Sequence, residues 1–183
     1  KGKGNTDLIS GYTSSSIGIS EQVSLNVGVN AQVLTLNNSW ALEPRAGIKW
    51  QFSPKSSFAL AYGLHSRMEK MDVYFVKTQG TGNRSVNKDL GFTKAHHVML
   101  SYGFKISDNA NMKIEPYFQQ LYNVPVIADS SYSVLNRRDF YVENALVNQG
   151  KGRNIGVDIT LERYLYKGLY YMVTASIFDS KYY

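Results

Sequence analysis

The chain has 183 residues, 43% of them hydrophobic and 13% aromatic, with no cysteine and a formal net charge of +6. This composition excludes a disordered chain, a disulfide scaffold, a thiolate metal site and a thiol nucleophile. The Lys and Arg residues are spread through turns and loops, which argues against a nucleic-acid partner, and the longest mostly apolar run, 168–178, is about half of the ~20 residues that a membrane helix needs.

The opening KGKGNTD has neither an initiator Met nor an apolar stretch behind it, so the start is expected to lie inside a longer protein. Residues 8–19 form the faintest strand pattern: Ile17 and Ile19 alternate with Ser16 and Gly18, but 13–16 is polar. After a short turn at 20–22, residues 23–36 alternate well. Val23, Leu25, Val27, Val29, Ala31 and Val33 share one face. Asn37-Asn38-Ser39 turns the chain, because Asn tolerates positive φ.

The clearest stretch is 42–64, LEPRAGIKWQFSPKSSFALAYGL. Leu42, Pro44, Ala46, Ile48, Trp50 and Phe52 fall on one face and Glu43, Arg45, Gly47, Lys49 and Gln51 on the other. Ser53-Pro54-Lys55-Ser56 supplies turn chemistry. Phe58, Leu60, Tyr62 and Leu64 then resume the apolar face. This predicts a hairpin of two long strands.

Residues 66–93 are predicted to be a long connection with a polar middle, TQGTGNRSVNKD, and a small apolar patch at Tyr74, Phe75 and Val76. Strands are predicted again at 95–106 and 112–120, joined by a tight turn. A second long connection is expected over 121–150. Strands at 153–164 and 169–178 follow, with a turn at 165–168. No helical period of any length is present.

About eight strands result, and their connections alternate in length. Those after the first, third, fifth and seventh are all short, and both long ones follow even-numbered strands. In an up-and-down barrel every second connection lies at the same end, and outer-membrane barrels keep short turns at one end and long loops at the other. Aromatic residues agree with this. Trp50, Phe52, Phe104, Tyr164 and Tyr166 precede short turns, while Trp40, Tyr117, Phe118, Tyr122 and Phe178 lie near the opposite ends, as two interfacial belts would require. A soluble sandwich or closed soluble barrel with tyrosine-rich binding loops remains open, since it too alternates apolar and polar positions. So does a small closed eight-stranded outer-membrane barrel.

Several stretches together resemble the barrel of TonB-dependent receptors, the plugged outer-membrane transporters of Gram-negative bacteria. They are LNNSWALEPRAGIKWQFSP, LAYGLHS, EPYFQQLYNVPV, SVLN, LVNQGKGRNIGVDITLERY and YYMVTASIFDSKY, spread over 36–182. The resemblance implies an all-β, antiparallel, up-and-down transmembrane β-barrel, roughly 22-stranded. It also implies a separate N-terminal plug and energised import of a scarce ligand through an inner-membrane energy-coupling complex. Residues 1–183 would then be a partial barrel in contact with outer-membrane lipid, without the plug domain, the energy-coupling segment or the closing C-terminal strands.

Two sets of site residues follow. By alternation, Glu43, Arg45, Lys49, Glu115, Asp158 and Glu162 face the lumen, and the resemblance implies contact with a plug. A polar network of Glu43, Arg45 and Glu115 beneath the loops is expected. The long loops offer stacking and charge for ligand capture through Tyr74, Phe75, Arg84, Tyr122, Tyr132, Arg137, Arg138, Phe140 and Tyr141.

Catalysis finds little support. No Ser/His/Asp spacing stands out, so an outer-membrane enzyme is the weakest reading. Gly150-Lys151-Gly152-Arg153-Asn154 lacks the spacing of a phosphate loop and precedes a strand. His96 and His97 are adjacent and point to opposite faces, whereas His65 can approach His97 across a strand pair; a metal there would need a third ligand. No cofactor or metal is expected.

Overall fold

The computed structural model describes residues 4–78, 85–128, 130, 132–133 and 144–183. Eight strands run in chain order: β1 Leu8–Gly18, β2 Val23–Leu34, β3 Ser39–Ser53, β4 Ser56–Arg67, β5 Thr93–Ser107, β6 Ala110–Val126, β7 Val147–Tyr166 and β8 Leu169–Tyr182. Each pairs antiparallel with its neighbour in one sheet of order β1-β2-β3-β4-β5-β6-β7-β8. Among the described residues β1 and β8 are the two edges, so the sheet is not closed on itself.

The turns follow their local chemistry. Asn38 holds φ 56° between β2 and β3, a left-handed conformation that Asn tolerates better than most residues. The two-residue turn between β7 and β8 places Lys167 at φ 51° and Gly168 at φ 79°. Positive φ at both centres is the type I′ pattern, whose twist matches that of the flanking strands.

The register fixes the faces. Trp50 lies opposite Phe58, Ile48 opposite Leu60 and Ala46 opposite Tyr62; Phe58, Leu60 and Tyr62 then oppose Tyr102, Leu100 and Val98. The apolar rows therefore run unbroken from strand to strand. On the opposite face, one hollow is lined by residues of five successive strands, including Ser14, Asn26, Arg45, Gly63 and His97. The sheet thus curls with its polar face concave and its apolar face outward. Trp50, Leu60 and Leu100 are 50, 48 and 43% exposed, and among the described residues no second layer covers them. A soluble sandwich needs such a layer, and so large an apolar face marks a surface built for lipid or for a partner.

The packed core is small and lies at the loop end. Leu34 and Ala41, from the concave side of β2 and β3, meet Val73, Tyr74, Leu90, Phe92 and Leu146 from the long connections. A single helical turn, α1 Met71–Tyr74, forms within the first of these, where no helical period was expected from the sequence.

Strand boundaries depart from expectation mainly in β6 and β7. The 121–150 connection is in fact 127–146: β6 continues to Val126 and β7 begins at Val147, with Val126 opposite Val147 and Pro125 opposite Asn148. Register shifts between Leu121 and Val124 and between Val124 and Pro125 explain why the alternation is lost there. Asn123 at φ 54° lies within the first shift.

The aromatic belts also need correction. Trp50, Phe52, Phe58 and Tyr102 form a continuous outward row at the turn end, with ring centroids 5.0–5.4 Å apart. Tyr164 does not join it. Its hydroxyl accepts the Asn111 Nδ2 hydrogen at 3.1 Å on the concave face. Tyr117 and Phe178 are likewise concave, since they flank Gly156 across the ladder. Strand parity overrides aromatic character here, because a side chain takes the face that its register dictates.

Candidate functional site

The concave face is built from the alternate residues that the apolar rows leave over, and its centre of order is Glu43. The backbone pairing of β3 with β4 stops at Arg45 opposite Gly63. Beyond it the Glu43 carboxylate takes over the bonding. Ser66 donates its backbone N–H to Oε1 at 2.8 Å and its hydroxyl at 2.5 Å. Gln32 Nε2 donates to Oε1 at 2.7 Å, and Asn30 Nδ2 and Arg45 donate to Oε2 at 3.1 and 2.9 Å. Glu43 is only 3% exposed. A buried carboxylate needs this many donors, because desolvation penalises an unpaired charge. Arg45 is half exposed, so its guanidinium caps the cluster toward the hollow.

Hollows are spaced along the concave face, one of about 490 Å³ beside Ser14, Gly28, Asn30 and Arg45 and two others. The first, about 590 Å³, contains Arg45, His65 and His97. The two imidazoles lie 6.1 Å apart between centroids, and His97 meets the edge of Tyr117. Among the described residues no group of three His, Cys, Asp or Glu side chains could hold a metal ion. The second, about 340 Å³, lies toward the turn end and is lined by Lys49, Lys105, Lys113 and Glu162 among others. Glu115 belongs to a separate contact: it accepts from Ser101 Oγ at 2.9 Å and pairs with Lys113 at 3.5 Å. The expected network of Glu43, Arg45 and Glu115 is therefore two clusters. Glu43 on β3 and Glu115 on β6 are three strands apart in the sheet, too far for one set of side chains. Asp158 lies directly opposite Glu115 in the β6–β7 register. All six charged residues singled out from the alternation thus share the concave face.

The loop residues are placed less uniformly. Tyr74 has no exposed surface and lies in the core between the loops. Its hydroxyl accepts the Glu69 backbone N–H at 3.2 Å. Burial holds the phenol above the usual tyrosine range, and the nearby Glu69 carboxylate adds to that. Phe75 and Tyr132 pack against the same core, and Lys88 Nζ lies 5.7 Å above the Phe75 ring. Tyr122 is a strand residue of β6, and it stacks on His96 on the outward face at 5.2 Å between centroids. Its place is the sheet wall, because β6 extends past it. Arg84, Arg137, Arg138, Phe140 and Tyr141 lie outside the described residues.

Several positions that matter were not signalled by the alternation. Asn87, 1% exposed, ties the two long connections together. Its Nδ2 donates to the Val73 and Asn144 carbonyls at 3.1 and 3.0 Å, and its Oδ1 accepts the Leu146 N–H at 2.8 Å. Asn37 donates to the Lys88 and Leu90 carbonyls. These amides fold the first long connection inward over the loop end of the concave face.

No family profile matches the chain, and no curated protein matches it significantly. Solved structures do. The outer membrane transporter YddB of Escherichia coli superposes with a TM-score of 0.70 at 16% identity, over 97% of this chain and 25% of that one. The ferric-catecholate import receptor Fiu of E. coli K12 gives 0.69 at 11% identity, over 97% and 28%. The FrpB iron transporter of Neisseria meningitidis gives 0.66 at 15% identity, over 97% and 26%. The chain spans about a quarter of the length of these proteins. Its eight antiparallel strands have the fold of the barrel wall of outer-membrane receptors and transporters.

Proposed function

We propose that the chain is a wall segment of a TonB-dependent outer-membrane transporter that imports a scarce ligand without catalysing a reaction on it. The observation that carries this reading is the separation of faces. An apolar, aromatic-ended surface and a polar, charged concave surface run continuously from β2 to β7, as a wall between lipid and an aqueous lumen requires. The likeness to receptors and transporters supports it.

In this mechanism the long loops and a plug capture the ligand at the outer surface. Energised movement of the plug, driven from the inner membrane, then opens the lumen. Arg45, Lys49, Glu115, Asp158 and Glu162 offer the plug exposed or half-exposed charges, while Glu43 positions Arg45. Phe75 and Tyr132 supply loop surface for the ligand, whereas Tyr74 supports the loops from beneath. The two open edges, β1 and β8, pair with further strands of the same barrel, since an unpaired edge invites aggregation.

The test is fractionation of the full-length parent protein, expressed with its own signal. Recovery in the outer membrane, with gel migration in mild detergent that changes on heating, is the expected result. A parent that is soluble and monomeric without detergent would sink the reading and favour a soluble binding module.

A further inference from the structure

We infer that the outward face of β5–β8, at the loop end, is a docking site for the phosphate of an anionic lipid headgroup. The inference rests on the membrane reading above only in that the outward face meets lipid.

The outward cations are unevenly distributed. In the ladder, His96, Gln120, Arg153 and Lys181 stand side by side across four strands. The next step toward the loops sets Lys94 beside Tyr122, with Lys151 bonded through its backbone to Tyr183 in the same tier. Among the described residues four cations thus share this zone with one carboxylate, Asp179, which pairs with Lys181 at 3.2 Å. Lys94, Lys151 and Arg153 form no ion pair among the described residues. At the turn end the cations lie over an aromatic ring instead: Arg163 and Lys167 are 5.6 and 5.4 Å from the centre of the Tyr166 ring.

Between the cations stands a rigid aromatic ledge. His96 Nδ1 and the Tyr62 hydroxyl are 2.9 Å apart, and the imidazole stacks with both Tyr62 and Tyr122. Neighbouring strands are about 5 Å apart, so Lys94 and Arg153 flank Tyr122 and Gln120 from either side within reach of one anion. Long cationic side chains on a lipid-facing strand extend toward the headgroup level. The anion available there is a lipid phosphate, which binds guanidinium and ammonium groups through charge-assisted hydrogen bonds. The aromatic ledge fits the level just below, where amphipathic rings meet the acyl boundary.

The test uses the detergent-solubilised full-length parent and native mass spectrometry. Phosphatidic acid and a diacylglycerol with the same chains serve as probes. Retention of phosphatidic acid over diacylglycerol is expected. The triple variant Lys94→Gln, Arg153→Gln, Lys181→Gln is expected to retain about tenfold less phosphatidic acid or lower still, whereas Arg163→Gln is expected to match the parent. Equal retention of the two probes by the unaltered parent overturns the inference, and this comparison stands even where the triple variant fails to fold. Displacement by an equal concentration of inorganic phosphate would also overturn it, since the site would then take free phosphate. A parent that never enters the membrane refutes the wall reading instead, so the two failures are distinguishable.

Discussion

At the residue scale, Glu43 is the position on which the concave face depends. It substitutes for backbone pairing where β3 and β4 part, and its five donors come from four residues. Glu43→Ala removes the acceptor and leaves the Ser66 N–H unsatisfied, while Gln32 Nε2 keeps only its longer bonds to Ser66. A loss of about 3 kcal/mol is expected, read as a lower midpoint of heat-induced gel-mobility change in the full-length parent. Arg45→Gln, whose side chain is half exposed, is expected to cost below about 1 kcal/mol. Equal losses for the two would show that the carboxylate's burial is unimportant. Glu43 itself could be assigned to a face from the sequence, since Leu42 and Pro44 fix its parity. Its partners could not: Gln32 and Ser66 are 11 and 23 positions away, and only the strand register brings them together.

Elements carry the next set of expectations. The apolar rows of β4 and β5 were legible because strict alternation leaves one choice of face. The ends of β6 and β7 were not, because two register shifts and Pro125 erase the period where pairing continues. The same face assignment sets a substitution test. Leu60→Arg puts a charge on the lipid side and is expected to cost about 2–4 kcal/mol. Ser101→Arg, one strand away on the concave side and within reach of Glu115, is expected to be nearly neutral. Unfolding in urea of the parent in detergent compares them, and equal costs would contradict the two-faced wall. The long connections obey a different logic. Their inward fold is fixed by side-chain amides such as Asn87, whose partners are 14, 57 and 59 positions away. Asn87→Ala is expected to leave the strands intact but to accelerate protease cleavage within 68–92 and 127–146. Unchanged cleavage would mean that the amide does not hold the loops.

For the whole molecule, the sheet is a wall without a core of its own. Its apolar face is exposed, its small packed core belongs to the loops, and both edges are open. The order of short and long connections announced this architecture in the sequence, because an antiparallel meander sorts its connections by end. A photo-crosslinking residue in place of Lys49 is expected to join the wall to a part of the parent outside 1–183. Adducts confined to 1–183 would argue against a plug.

The most direct test of the two-faced wall is a cysteine scan of β5. Residues 1–183 contain no native cysteine, so each single substitution from Ala95 to Phe104 introduces the one thiol of this segment. In a parent whose remaining cysteines, if any, have been replaced by serine and which is embedded in outer membranes, each is treated with a water-soluble maleimide. Labelling is expected at Ala95, His97, Met99, Ser101 and Gly103, with protection at Val98, Leu100 and Tyr102. Uniform labelling, uniform protection or the opposite parity would contradict a strand that separates lipid from an aqueous lumen.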